Sequence, residues 1–165
     1  MFGDEARRIE ESFCFLYLAK NDLRDARASL EAAGSQEHRA VATSLIRDAV
    51  VCYARPFIRC KGETAVHELK VKWVPLEKRE LHRDVMRMRK EFVAHNDLSA
   101  IKPRAARWLG PNGEGLTSIV SGLAINTDAM LRETPSIVKL IEAIAERVLA
   151  EMDRMRREPP FVGSV

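Results

Sequence analysis

Residues 4–33 read DEARRIEESFCFLYLAKNDLRDARASLEAA, and the repeat in this stretch decides the fold. Ile9, Leu16, Leu23 and Leu30 recur every seven residues, while Ser12, Ala19, Ala26 and Ala33 recur in a second register. On an α-helix, residues seven apart stay on nearly the same side, so one row is large and the other small. Such a pair of rows lets neighbouring helices approach closely, as in antiparallel bundles. A free coiled coil is the alternative; the further amphipathic segments downstream favour packing within the chain. Phe13, Cys14 and Tyr17 add bulk near the start, and Gly34 is a natural stop.

Ser35 can cap the next helix, which is expected to run through Val41, Leu45, Ala49 and Cys52 to Arg55. Pro56 disfavours the α conformation at the residue before it, so the helix should end or kink there. Arg55 then sits where the helix dipole favours a cation. Residues 58–75 read as a loop with one short helical turn, Trp73 lying as a lid over the core. A third helix should begin after Pro75 and reach about His95 or Asn96. The run Trp108-Leu109-Gly110-Pro111-Asn112-Gly113-Glu114-Gly115 is dense in turn residues. It is expected to join strands at 105–109 and 116–120 into a hairpin; an irregular loop with a short helix from Thr117 is the other reading. Thr134-Pro135 resembles a helix start, and Ile137, Ile141, Ile144, Val148, Met152 and Met155 trace an apolar face to about Arg157. The fold class expected is all-α: an antiparallel bundle of four to five helices with a small β-hairpin before the last. Residues 1–158 form one domain in this reading, and residues 159–165, which include Pro159-Pro160, a flexible tail.

Composition agrees: hydrophobic residues make up 46% of the chain and aromatic ones only 6%, a helix-forming mixture. No apolar run approaches the roughly 18 residues that span a bilayer, and the first residues lack the basic start and apolar segment of a secretion signal. The expectation is therefore a cytoplasmic protein with no membrane partner. Cys14, Cys52 and Cys60 form no Cys-x-x-Cys pair and read as reduced thiols. A zinc site from Cys52, Cys60 and His67 lacks any ligand spacing, so no metal and no cofactor are expected. The formal charge is +3, but residues 70–107 hold 11 Lys or Arg against 5 Asp or Glu, leaving 16 against 19 elsewhere. That local excess would attract a polyanion in a salt-sensitive way. A solvated helix face with ion pairs such as Glu80 with Arg83 and Arg87 with Glu91 is the simpler account.

The excess surrounds residues 81–97, LHRDVMRMRKEFVAHND. At about 100° per residue, Leu81, Val85, Met88 and Phe92 share one narrow stripe, the expected core face. With Leu81 at zero, Arg89 falls at about +80° and His95 at about −40°, flanking that stripe. Two such groups beside one buried seam can meet across a two-fold axis, where each patch faces its own copy.

Arg89, the five residues after it, and His95 within Ala94-His95-Asn96-Asp97 resemble the Arg-polar-x(4-6)-His signature of the HEPN superfamily, in its abortive-infection-like branch. Tyr53-Ala54-Arg55-Pro56-Phe57 and His82 are similar to the same branch, and the likeness extends over about residues 5–155. Where the family places Asn, Asp or His after the arginine, this chain has Lys90. The resemblance implies an antiparallel helical bundle, a homodimer, and a metal-independent endoribonuclease of a toxin-antitoxin or antiviral defence system, with RNA as substrate and an antitoxin protein as a further partner. It implies catalytic roles for Arg89 and His95: the imidazole as general acid or base, the guanidinium on the phosphate. Lys90, Asn96, Asp97 and Arg55 are the implied substrate-binding residues, Asp97 also being placed to orient His95. The alternative is a non-catalytic helical RNA-binding or protein-interaction module of the same fold.

Overall fold

The computed structural model describes residues 2–93, 104–109, 115–120 and 127–157, and side chains within 4–90 and 127–157. Helix α1 spans Phe2–Gly34, α2 Arg39–Ala54, α3 Arg79–Val93 and α4 Thr127–Arg157. The described residues are mostly helical, with two small antiparallel two-stranded sheets. Both rows read from α1 face inward. Leu16, Leu23 and Leu30 are buried, and Ala19, Ala26 and Ala33 are at most 2% exposed, so the small row lets α1 pack closely on α2 and α4 at once. Ile46, Ala49, Val50 and Tyr53 of α2 and Ile137, Leu140, Ile141, Ile144, Val148 and Met152 of α4 complete the core.

Two helix starts differ from the expectation. Ser35 does not cap α2: its hydroxyl donates to the Ala32 carbonyl at 2.9 Å, closing the end of α1, and α2 begins at Arg39 after His38, which gives no side-chain cap. Thr134-Pro135 does not begin α4 either; Pro135 lies inside a helix that starts at Thr127. The extra turns are held from outside. Thr127 is buried and its hydroxyl lies 2.8 Å from that of Thr43, while Asp128 pairs with Arg39 at 3.0 Å. Met130 is buried as well, and the Thr134 hydroxyl donates back to its carbonyl at 3.2 Å. Tertiary contacts thus carry the helix through a proline that local propensity reads as a start.

α2 ends at Ala54, and Arg55–Phe57 tighten into a 3₁₀ turn containing Pro56, as the proline requires. Residues 58–75 are more ordered than a loop with one turn. Strands β1 (Cys60–Lys61) and β2 (Val66–His67) pair antiparallel, and a 3₁₀ turn follows at Val71–Trp73. The missing signal lay on α1: the Glu11 carboxylate accepts the backbone N–H groups of Glu63 at 2.6 Å and Thr64 at 2.9 Å, and bonds the Thr64 hydroxyl. Gly62 permits this approach, since a Cβ there would overlap Glu11 Oε1. Trp73 is partly buried against the core, and Arg147 donates to the Lys72 and Trp73 carbonyls at 3.2 Å each. Another 3₁₀ turn, Leu76–Lys78, leads into α3. The hairpin before the last helix is present: β3 (Arg104–Leu109) pairs with β4 (Gly115–Val120), Ala106 opposite Ser118. Its turn at residues 110–114 and the tail at 159–165 lie outside the described residues.

Candidate functional site

Helix α3 carries Arg89, the first residue of the motif, and packs chiefly on α2, with a smaller contact to α4. Its most buried members are His82, 5% exposed, and Val85, fully buried, while Leu81, Met86 and Met88 are partly buried against the core. The side chain of Phe92 lies outside the described ones. On the wheel used above, His82 falls at about 100° and Val85 at about 40°. The inward face is therefore turned by several tens of degrees from the stripe centred on Leu81. Arg89, at about 80°, falls within that face rather than on its flank, and it is half-buried.

The cause is a polar group that found a partner. His82 Nδ1 lies 2.7 Å from the Tyr53 hydroxyl of α2, and the two rings meet edge-on with centroids 5.9 Å apart. Phe57 closes the cluster, 4.5 Å from the His82 ring and 5.5 Å from that of Tyr53. Tyr53 is 1% exposed. Burial pushes the Tyr53 hydroxyl above its ordinary range and the His82 imidazole below its own, so both are held neutral. A histidine in the sequence counts as polar, and only the Tyr53 partner converts it into a core residue.

The remaining site residues divide plainly. Lys90 is exposed, about 100° around the helix from Arg89. Arg55 caps the end of α2 and pairs with Asp22 of α1 at 3.2 Å; its hydrogen bond to Asp22 holds the guanidinium even more firmly protonated than usual. His95, Asn96 and Asp97 lie outside the described residues. Among the described residues Arg89 has no hydrogen bond or ion pair. The ion pair of Arg87 is with Asp84, at 2.8 Å, three residues back on the helix.

A second polar cluster was not read from the sequence. His67 Nε2 lies 3.6 Å from Glu11 Oε1, and its ring stacks on Phe15 with centroids 5.5 Å apart. Hydrogen bonds from Thr64, its hydroxyl foremost, hold the Glu11 carboxyl below the usual carboxylate range. Beside this cluster, a cleft of about 490 Å³ opens between α1, β2, Trp73 and the end of α4. On its rim Glu151 pairs with Arg154, and Glu68 pairs with Lys70 beside the cleft. Among the described residues there is no cluster of His, Cys, Asp or Glu able to hold a metal ion, and no helix long and apolar enough to cross a membrane. No family model, no curated protein and no solved structure matches this chain.

Proposed function

We propose that the protein is a HEPN-like, metal-independent endoribonuclease acting at a cleft between two copies of the chain. The observation that supports this most is the setting of Arg89: it lies near the end of α3 on the inward face, half-buried and unpaired among the described residues, in the row of His82 and Val85. A planar guanidinium in that setting can grip a phosphate with fixed donors and offset charge that develops on it. His95, six residues after Arg89 in the sequence, would take the proton of the ribose 2′-hydroxyl or protonate the leaving 5′-oxygen, tasks suited to imidazole, whose unperturbed pKa lies near neutrality. The chemistry is then attack of the 2′-oxygen on the adjacent phosphorus with expulsion of the 5′-oxygen, giving a cyclic phosphate and a free 5′-hydroxyl. A toxin or antiviral role in the cell, with a neutralising protein partner, follows from the same resemblance.

The test is a cleavage assay on total RNA in the presence of a chelator, comparing wild type with Arg89→Ala and His95→Ala. Loss of about a hundredfold or more in the His95 variant supports general acid–base catalysis. Equal activity in all three proteins, or none in the wild type, removes the mechanism. In the latter case the non-catalytic module stands, a reading that the exposed Lys90 directly after Arg89 favours.

A further inference from the structure

Helix α3 sorts its outward charges by sign. On the wheel with Leu81 at zero, Arg79, Lys90, Arg83 and Arg87 fall between about 160° and about 240°, while Glu80 and Asp84 fall at about 260° and about 300°. The cations form one ridge and these two carboxylates another beside it. Arg83, Arg87 and Lys90 are exposed and Arg79 is half-buried. Asp84 engages Arg87, whereas Arg83 and Lys90 have no ion pair among the described residues. The Arg79 Nε is buried with no hydrogen-bond partner among them. An alternating arrangement would neutralise such a helix face; this one leaves a positive edge.

The edge also has a useful pitch. At about 1.5 Å per residue, Arg79, Arg83 and Arg87 stand about 6 Å apart along the axis, and the ridge to Lys90 is about 16 Å long. We propose that this ridge tracks the backbone of a single RNA strand, its cations meeting successive phosphates and so leading the strand along α3 toward Arg89. The inference rests on the reading of RNA as the substrate, and it adds Arg79, Arg83 and Arg87 as phosphate-binding residues outside the catalytic pair. Phosphate contacts of this kind set position and register, and they carry no base preference.

The experiment measures binding without cleavage. A fluorescent oligouridylate with 2′-O-methyl groups has no attacking hydroxyl, and its anisotropy is read from 50 to 300 mM salt. The proteins are wild type, the triple variant Arg83→Gln, Arg87→Gln, Lys90→Gln, and Lys139→Gln on the exposed side of α4 as control. For single strands each neutralised phosphate contributes about 0.7 to the slope of log affinity against log salt, so the triple variant should be shallower by about 2 and bind at least roughly tenfold more weakly at low salt. Lys139→Gln should match wild type. Unchanged slope and affinity in the triple variant, an equal loss in Lys139→Gln, or no binding by wild type at 50 mM salt overturns the proposal. Tighter binding of poly-glutamate than of the oligouridylate also overturns it, in favour of an acidic protein partner. Because Arg89 and His95 are untouched, a protein that binds with the expected slopes but never cleaves refutes the enzyme and keeps the ridge; one that cleaves equally well with and without the three cations does the reverse.

Discussion

Replacing Tyr53 with Phe removes one oxygen and little else, so it isolates the hydrogen bond that turns α3. The partner, His82 Nδ1, sits 2.7 Å away on a residue only 5% exposed, and Tyr53 itself is 1% exposed, so water has no ready access to replace the lost group. Leaving a buried polar atom unsatisfied costs about 1–3 kcal/mol. In a domain of this size each kcal/mol corresponds to a shift of about 2–4 °C in Tm. Urea unfolding of wild type, Tyr53→Phe, His82→Leu and the double variant reads both the loss and the coupling between the pair. A loss below about 0.5 kcal/mol in Tyr53→Phe, the range of an ordinary surface substitution, would refute the role given to this bond. The same pair has a pH signature. Because burial lowers the His82 pKa from 6.5, the unfolded chain takes up the proton before the folded chain does. Stability is then whole above pH 6.5 and falls below it, by up to about 1.4 kcal/mol per unit, until the folded imidazole also titrates. His82→Gln should flatten that part of the profile, and a wild-type profile of identical shape would contradict the burial argument.

Two other substitutions test the parts of the fold that local sequence signals misplaced. Pro135 is exposed and lacks the N–H that would continue the ladder of α4, so Pro135→Ala should restore a backbone bond to the Leu131 carbonyl and raise stability by about 1–3 kcal/mol in urea unfolding; a loss would mean that the fixed backbone of the proline contributes more there than its missing N–H costs. Glu11→Gln should speed amide exchange of Glu63 and Thr64 by about tenfold or more while the centre of α4 keeps its protection. The wild-type clamp should fail as pH drops through the lowered carboxyl pKa of Glu11, and exchange at those amides that is indifferent to both charge and acid would rule the clamp out.

What could be read in advance follows from the range of the interactions. The seven-residue rows of α1 are local and strong, and Leu23, Ala26 and Leu30 are buried as their spacing requires. The β3–β4 hairpin was one of two readings that the turn residues between Trp108 and Gly115 allowed, and it is the one found. The starts of α2 and α4 could not be read, because Ser35 serves the helix behind it and Thr127 is fixed by Thr43, 84 residues away. The same holds at the site. Leu81, Val85 and Met88 are the residues a hydropathy pattern selects, yet the inward direction of α3 is set by His82, whose partner Tyr53 lies 29 positions earlier. Rotation of that helix brought Arg89 inward and exposed the charge-sorted ridge, which the tally of residues 70–107 registered only as a sum. The Glu11 clamp was equally hidden: a glutamate on the outside of an amphipathic helix gives no sign that Gly62, beyond the whole of α2, depends on it.

That dependence restricts how chains with this architecture can drift. With a carboxylate oxygen in the space a methyl group would need, no side chain can enter at Gly62 unless Glu11 shortens or swings away, and a shortened residue there abandons the two amides it now binds. A substitution at Gly62 should therefore cost the Glu11 clamp whether or not Glu11 itself changes, so that the pair ties the first helix to the small hairpin across otherwise divergent sequences.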